Sequence, residues 1–599
     1  MLKKFFWNLL SSFVGAWIAL LGFGVLLFFV LVGMIARVGL SAASETEKLE
    51  KHSILKVSLT GVIDERSPKF DLNYFKLIQG DLDQAQSLST IVTALEEAKE
   101  NNNIDAVYLE CGGVSAGFAT LDAIRNALID FQKSGKKVYA YGDAYTAGTY
   151  YVASCADSLF MNPEGSMRLQ GISSSVPYMK GFFDKLGVGF QVVKVGTFKS
   201  AVEPYIMNEM SEPARAQLDT LYGNVWNHIK SGIAQSRGIQ ASDIDRAVDS
   251  NISFASPQKA VDFRFVDRLI YNRNIKESLA RLVGKDDPEK VNFVNPTLLS
   301  SQTDWGQAYT DKNQVAVLYA TGEISEGSES GINCFKLVPE IVKLADDDNV
   351  KALVLRVNSP GGSVFGSAEI AEALQYFKSK KKTFAVSMGD YAASGGYWIS
   401  CDAERIFADP MTITGSIGIF GLIPEVSGLA DKLGVSMQTV STNPSADFPT
   451  LFKPMTPEQY QVMQSYVERG YDRFVKRVAK GRRMSESKVR TIAEGRVWDG
   501  TTAKRIGLVD ELGGLEEAIK WAARQAKLGE NYDVALYPKG DDNIWSMLPT
   551  AASARISEMV TKAITPGMDP DIAAHAVEVI RRRPVQARMI PLDLCITRR

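Results

Sequence analysis

Hydrophobic and polar positions follow three regimes along the chain. In the first, no charged residue occurs between Lys4 and Arg37. Phe13 to Ile35 reads FVGAWIALLGFGVLLFFVLVGMI, long enough as a helix to cross a ~30 Å hydrocarbon layer. A cleaved signal peptide would have an apolar stretch of about 7–15 residues before a small-residue cleavage site. This run is roughly twice that long, so the pattern predicts an uncleaved transmembrane anchor over residues 13–36 after a short cytoplasmic segment, 1–12. Lys3 and Lys4 precede the span, while Glu45, Glu47 and Glu50 follow it alongside Lys48 and Lys51. Positive charge stays inside, although Arg37 weakens the asymmetry. The expected topology places the body outside, which in a bacterium means a single pass through the inner membrane and a periplasmic body.

In the second regime, short apolar runs alternate with amphipathic ones. Val315–Tyr319, Ala352–Val357 and Thr383–Val386 are apolar, β-rich runs and predict buried strands. Ser367–Phe377 carries Ile370, Leu374 and Phe377 at helical spacing. Strands alternating with helices predict an α/β fold with a largely parallel sheet. The pattern also repeats. AYTAGTYYVASCAD (144–157) returns as DYAASGGYWISCDA (390–403), and FFDKLGV (182–188) returns as LADKLGV (429–435). VSLTGVIDE (57–65) returns as VLYATGEISE (317–326) at a larger offset, because the first copy carries extra residues around 67–84. Two tandem copies follow, predicted at 45–272 and 314–540 and joined by a linker at 273–313. The third regime, 541–599, is rich in Pro and ends in basic residues, including Arg581–Arg583. It predicts a peripheral tail whose basic run is a solvated face.

Composition narrows the chemistry. Lys and Arg total 67 against 69 Asp and Glu among 599 residues, a net charge of -2. That balance argues against a nucleic-acid partner. Only three histidines occur (His52, His228, His575), none in a suggestive motif. The five cysteines form no CxxC pair, so neither a zinc site nor a disulfide scaffold is expected. Cys155 and Cys401 fall at equivalent positions of the two copies and are expected to be buried thiols without a disulfide between them. Nothing predicts a cofactor or a metal.

Two Gly-rich turns stand out in the second copy: NSPGGS (358–363) after one predicted strand and YAASGGYW (391–398) after another. A serine between a strand and a helix start is well placed for nucleophilic attack, and N–H groups there suit a developing oxyanion. Glycines let a substrate carbonyl approach the backbone. Tight turns with no chemistry have the same composition. Across the repeat, Ser394 faces Gly148, and the PGG turn is absent from the first copy. The first copy instead carries GTFKSAVEP (196–204) with Lys199, where the second has the lysine-free STNPSADFP (441–449). Reciprocal loss is what a Ser/Lys site divided between two copies would leave. Drift after duplication would leave it too, and the residues alone do not separate the two.

The chain resembles the signal peptide peptidase A (protease IV) family in its long tandem-repeat bacterial form. The resemblance is carried by the N-terminal apolar span, both copies, FKSAVEP, NSPGGS, ASGGYW and TGSIGIFG. It implies two tandem crotonase/Clp-protease-like domains and a membrane-anchored serine endopeptidase that degrades cleaved signal peptides and other apolar peptides. It assigns the nucleophile to Ser394, the general base to Lys199 and the positioning of that lysine to Ser416. Gly361, Gly362 and Gly395 are the candidate backbone oxyanion donors. It further implies a homotetramer, and the anchor would bring it into contact with inner-membrane lipid. The competing readings are an inactive membrane scaffold of the same fold and a crotonase-type acyl-CoA enzyme. Chemistry agrees with the lysine. A neutral amine can activate a serine where no histidine does, provided burial lowers its pKa by roughly 3 units from ~10.4.

Overall fold

A computed structural model describes residues 49–66, 86–300, 313–328, 330–530, 532–539 and 585–588. The predicted anchor lies outside these residues. Among the described residues, no helix is long and apolar enough to cross a membrane.

Each copy is built on a mostly parallel sheet. In the second copy the strand Val350–Ser359 lies between Gln314–Thr321 and Thr383–Ala393, all parallel. Arg405–Ala408 continues the sheet beyond Thr383–Ala393, and Asp533–Tyr537 closes the other side on Gln314–Thr321. Successive side chains of a strand point to opposite faces, and both faces are covered. Leu353, Leu355 and Val357 enter one apolar cluster, whereas Ala352 and Val354 enter another with Ala518, Ile519 and Ala522 of the helix Leu515–Gln525. Coverage on both sides explains why these strands read as mostly apolar runs without strict alternation. Each fully buried Val or Leu contributes about 1.5–3 kcal/mol relative to exposure.

The first copy repeats this order. Ser53–Asp64, Ile104–Ser115, Lys137–Thr146 and Ser158–Arg168 are parallel neighbours in sequence. The stretch 273–313, expected to link the copies, belongs to the first copy as far as residue 300. The helix Asn272–Leu282 buries Ile275 and Leu279 with Ile54 and Tyr108. Phe293–Val294 then pairs in parallel with Ile54–Leu55. That strand takes the place that Asp533–Tyr537 holds in the second copy. The Pro and polar residues of the stretch read as a linker because they surround a two-residue strand, Phe293–Val294, too short to show a period.

A third sheet joins the copies. Its order is 332–333, 324–325, 361–363, 585–588, 419–425, 189–195. Gly189–Val195 of the first copy runs antiparallel to Ile419–Glu425 of the second, and Val193 is buried in the second copy's core. Met411 makes the reciprocal crossing into the first. The tail, expected to be peripheral, supplies the inner strand Val585–Arg588 of this sheet.

Buried polar groups also cross the boundary. The Arg356 guanidinium grips Glu65 of the first copy with two 2.9 Å bonds and donates to Ser387 Oγ and the Met388 carbonyl. Thr120 donates its N–H and hydroxyl to Asp390 at 2.9 and 2.7 Å. Gly117 makes room for that carboxylate, since a Cβ there would lie 2.1 Å from Asp390 Cγ. Charges this deep are stable only when paired and fully hydrogen-bonded. These contacts therefore fix how the copies meet.

Candidate active site

Two strand registers bring three side chains to one point. Thr383–Ala393 pairs in parallel with Ile413–Gly415, ending on Ala393 opposite Gly415. The next residue on each strand is a serine, Ser394 and Ser416. The antiparallel pair ends on Val195 opposite Ile419. Beyond it, one chain runs forward to Lys199 as the other runs back to Ser416. Lys199 Nζ lies 2.8 Å from Ser394 Oγ, 3.0 Å from Ser416 Oγ and 3.1 Å from the Ser416 carbonyl oxygen.

Both serines sit on unusual backbone. Ser394 has φ 56° and ψ -114°, at the turn from Thr383–Ala393 into the helix Gly395–Ser400. Ser416 has φ 49°. Left-handed or more extreme angles on a non-glycine residue cost on the order of 1–3 kcal/mol and persist only where surroundings enforce them. Here the Ser394 N–H donates to the Gly415 carbonyl at 2.8 Å, and the Ser416 N–H donates to Arg496 at 2.7 Å. A sharp strand-to-helix turn of this kind is how α/β hydrolases expose a serine nucleophile.

The lysine is held as tightly. Lys199 is 1% exposed, and burial pulls its pKa from 10.5 down to about 7. Gly495 forms the wall behind it, where a Cβ would lie 2.7 Å from Lys199 Cβ. The same segment carries the base and its neighbour. Phe198 N–H donates to Glu494, Gly495 N–H to Ile417, and Ser416 N–H to Arg496. Arg496 lies over the rings of both Phe198 and Trp498.

Gly361, Gly362 and Gly395 also converge. A Cβ on Gly395 would lie 3.2 Å from both Gly361 Cα and Gly362 N. The Gly361 N–H donates to Ser359 Oγ at 3.2 Å, so it already has a partner. Asn358 of the same turn is structural, donating to Glu65 and accepting from the Tyr391 N–H. The two histidines among the described residues serve elsewhere: His52 pairs with Asp105, and His228 lies 3.5 Å from Asp122. Cys155 and Cys401 are buried free thiols, as expected. Among the described residues, no group of His, Cys, Asp and Glu is arranged to hold a metal ion.

A sequence profile of Peptidase family S49 matches residues 130–286 and 376–529, and a Clp protease profile matches 307–410. The chain belongs to peptidase family S49. It is a serine-type protease whose α/β, Clp-protease-like domain occurs twice. Protease 4 of Salmonella typhi is 34% identical over 557 residues, covering 90% of this chain and 88% of that protein. Protease 4 of Haemophilus influenzae is 36% identical over 482 residues, 77% of each chain. The chloroplastic serine protease SPPA of Arabidopsis thaliana is 26% identical, covering 91% of this chain and 78% of its own. Lys199 falls in the first S49 match, Ser394 and Ser416 in the second.

Gln217 escaped the sequence reading. On the helix Glu212–Arg237 it shares the buried stripe of Ala214, Leu221, Val225, Ile229 and Ile233. A polar residue at a stripe position was the available signal. Its amide donates to the Phe198 carbonyl at 3.1 Å and to Ser200 Oγ at 3.3 Å, and it accepts from the Val497 N–H at 3.2 Å. It clamps both flanks of Lys199 to the second copy. Gln217→Leu strands these buried partners, at a cost of about 1–3 kcal/mol. The expected result is a lower melting temperature together with an alkaline shift in the acid limb of kcat/KM, because a loosened loop lets water back to the amine. An unmoved acid limb would leave Gln217 a purely structural role.

Proposed function

We propose that the chain is a membrane-anchored endopeptidase in which Ser394 is the nucleophile, Lys199 the general base and Ser416 the group that orients the base. The observation that carries this reading is the 2.8 Å approach of a fully buried lysine with a pKa of about 7 to Ser394 Oγ. A neutral amine has two N–H donors and one lone pair. Directing the donors at Ser416 Oγ and the Ser416 carbonyl leaves the lone pair to accept the Ser394 O–H. The serine proton passes to Nζ as Oγ attacks the peptide carbonyl. The oxyanion is received by the backbone N–H groups of Gly395 and Gly362. The ammonium then protonates the leaving amine. Water, activated by the restored amine, hydrolyses the acyl-enzyme.

The apolar segment 13–36 anchors the body to the inner membrane, with the body in the periplasm. An anchored protease sees peptides emerging from the bilayer at high effective concentration. Its substrates are cleaved signal peptides and other apolar, extended peptides. Ser394 is 0% exposed, which favours threaded chains over folded domains. A digest of the purified protein with a synthetic signal peptide, a charged unstructured peptide and a tightly folded protein tests this. The signal peptide is expected to disappear first and the folded protein to survive. Equal rates for all three would overturn the substrate reading.

A further inference from the structure

Where the two copies meet, carboxyl groups face carboxyl groups at two separate points. Asp122, on the helix Phe118–Gln132 of the first copy, is hydrogen-bonded to Asp409 of the second. Asp409 sits in the turn between the strands Arg405–Ala408 and Ile413–Gly415. Glu96, on the helix Leu88–Glu100 of the first copy, is hydrogen-bonded to Glu516, on the helix Leu515–Gln525 of the second. An ionised carboxylate only accepts, so a hydrogen bond between two carboxyl groups exists only while the pair holds a proton.

The remaining contacts show which member carries it. Asp122 Oδ1 accepts from the Tyr151 hydroxyl and lies 3.5 Å from His228 Nε2, and its Oδ2 accepts from Asn126 at 3.1 Å. The Asp409 carboxyl accepts the Met411 N–H at 2.8 Å. Asp122 is therefore the carboxylate and Asp409 the acid. Glu516 is ion-paired with Lys520, whereas Glu96 Oε1 is shut off from solvent and no donor among the described residues reaches it. Glu96 is the second acid. Nearby cations are committed elsewhere. Asp390 adds negative charge beside Asp409, and Arg356 is taken up by Glu65. Arg125 donates to the Tyr151 and Gly232 carbonyls. Asp130 adds negative charge beside Glu96, and Lys99 and Lys133 pair with Asp130. Burial and the facing carboxylate hold the Asp409 carboxyl well above the usual carboxylate range and push Glu96 up to about 8.

We propose that the boundary between the two copies is a proton-dependent latch, closed by one shared proton in each carboxyl pair and loosened when alkali removes them. Loss of either proton leaves two like charges in contact across the boundary. The Asp409 turn passes that repulsion to the strands of the site. Its N–H donates to Thr412 Oγ1 at 3.0 Å, and the Thr412 hydroxyl donates to the Gly389 carbonyl at 2.8 Å. Those two residues lie on or beside the strands that end at Ser394 and Ser416, while Lys199 comes from the other copy. The latch stands whether or not Ser394 is the nucleophile. Its sign follows from linkage. The folded chain keeps protons that unfolded carboxyls release above about pH 4–5, so stability falls as pH rises from there, up to about pH 8 for Glu96. Lys199 acts in the opposite sense above pH 7, so proteins are compared at one pH.

The test is amide hydrogen exchange in Gly189–Val195, the first-copy strand paired with Ile419–Glu425 of the second. It is measured at about pH 6, 7.5 and 9 in the full-length parent and in full-length Glu96→Gln/Asp409→Asn. A side-chain amide has the shape and the donor of the protonated acid and no proton to lose in this range. The two proteins are expected to exchange alike at pH 6. At pH 9 the parent should exchange at least tenfold faster in this strand and unfold at a lower urea concentration. Equal exchange at all three pH values would overturn the latch. The parent alone gives a second reading, whether or not the variant folds. Its infrared spectrum at pH 6 should carry a protonated-carboxyl C=O band that vanishes by about pH 10, and absence of that band would equally overturn the proposal.

Discussion

Peptide hydrolysis by Lys199→Ala is expected to fall by roughly 10⁴–10⁶-fold at neutral pH, and Ser394→Ala to fall equally. The size follows from the geometry. Lys199 Nζ is the only basic group recorded against Ser394 Oγ among the described residues. A serine without its base attacks as a neutral alcohol. The double variant should be no slower than either single one, because a nucleophile and its base act as a unit. Ser416→Ala should cost much less. It removes one of two contacts between Ser416 and the amine and leaves the carbonyl at 3.1 Å. Steady-state assays on one extended peptide check all four proteins. Additive losses in the double variant would separate the two residues into independent roles.

Lys199→Met should be inactive yet more stable than the parent at pH 6–7. Burial holds the folded pKa near 7, against ~10.4 in the unfolded chain. Between these values the unfolded chain binds a proton that the folded chain does not, so stability rises with pH across that window. Below about pH 7 both states are protonated, and the penalty is present in full, roughly 4–5 kcal/mol. Methionine fills similar space with no charge to desolvate. It loses hydrogen bonds worth about 1 kcal/mol each. The net expectation is a gain of about 2 kcal/mol at pH 6.5 that shrinks towards pH 10. Thermal unfolding at both pH values measures it. A variant less stable than the parent at pH 6.5 would contradict the buried-base account.

Much of this was legible in the sequence for identifiable reasons. Strands such as Val350–Ser359 are covered on both faces, so their burial shows as a mostly apolar run, ALVLRV, in place of a strict alternation. The repeat exposed the division of Ser394 and Lys199 between copies, because each residue is missing from its equivalent position. What brings them together was not legible. It depends on Gly189–Val195 leaving its own copy to pair with Ile419–Glu425, a non-local register that no periodicity reports. The extent of the first copy was misjudged for a similar reason, since Phe293–Val294 is a strand only through its partner at Ile54–Leu55. Gln217 was hidden by its surroundings: seven turns of amphipathic helix draw attention to the apolar stripe and away from the one amide within it. Val585–Arg588 lies in a segment whose Pro and Arg content reads as surface. Its strand conformation depends on two rims from distant parts of the chain.

The central claim is that Ser394 is activated by a neutral, buried Lys199. The most direct measurement is the rate at which a fluorophosphonate labels Ser394 as a function of pH. The parent should show a single rise centred near pH 7, where the amine loses its proton. Lys199→Met should show no rise there, and its labelling should be slower by several orders of magnitude across the range. A parent profile that is flat between pH 5 and 9, or a Lys199→Met protein labelled at the parental rate, would contradict it.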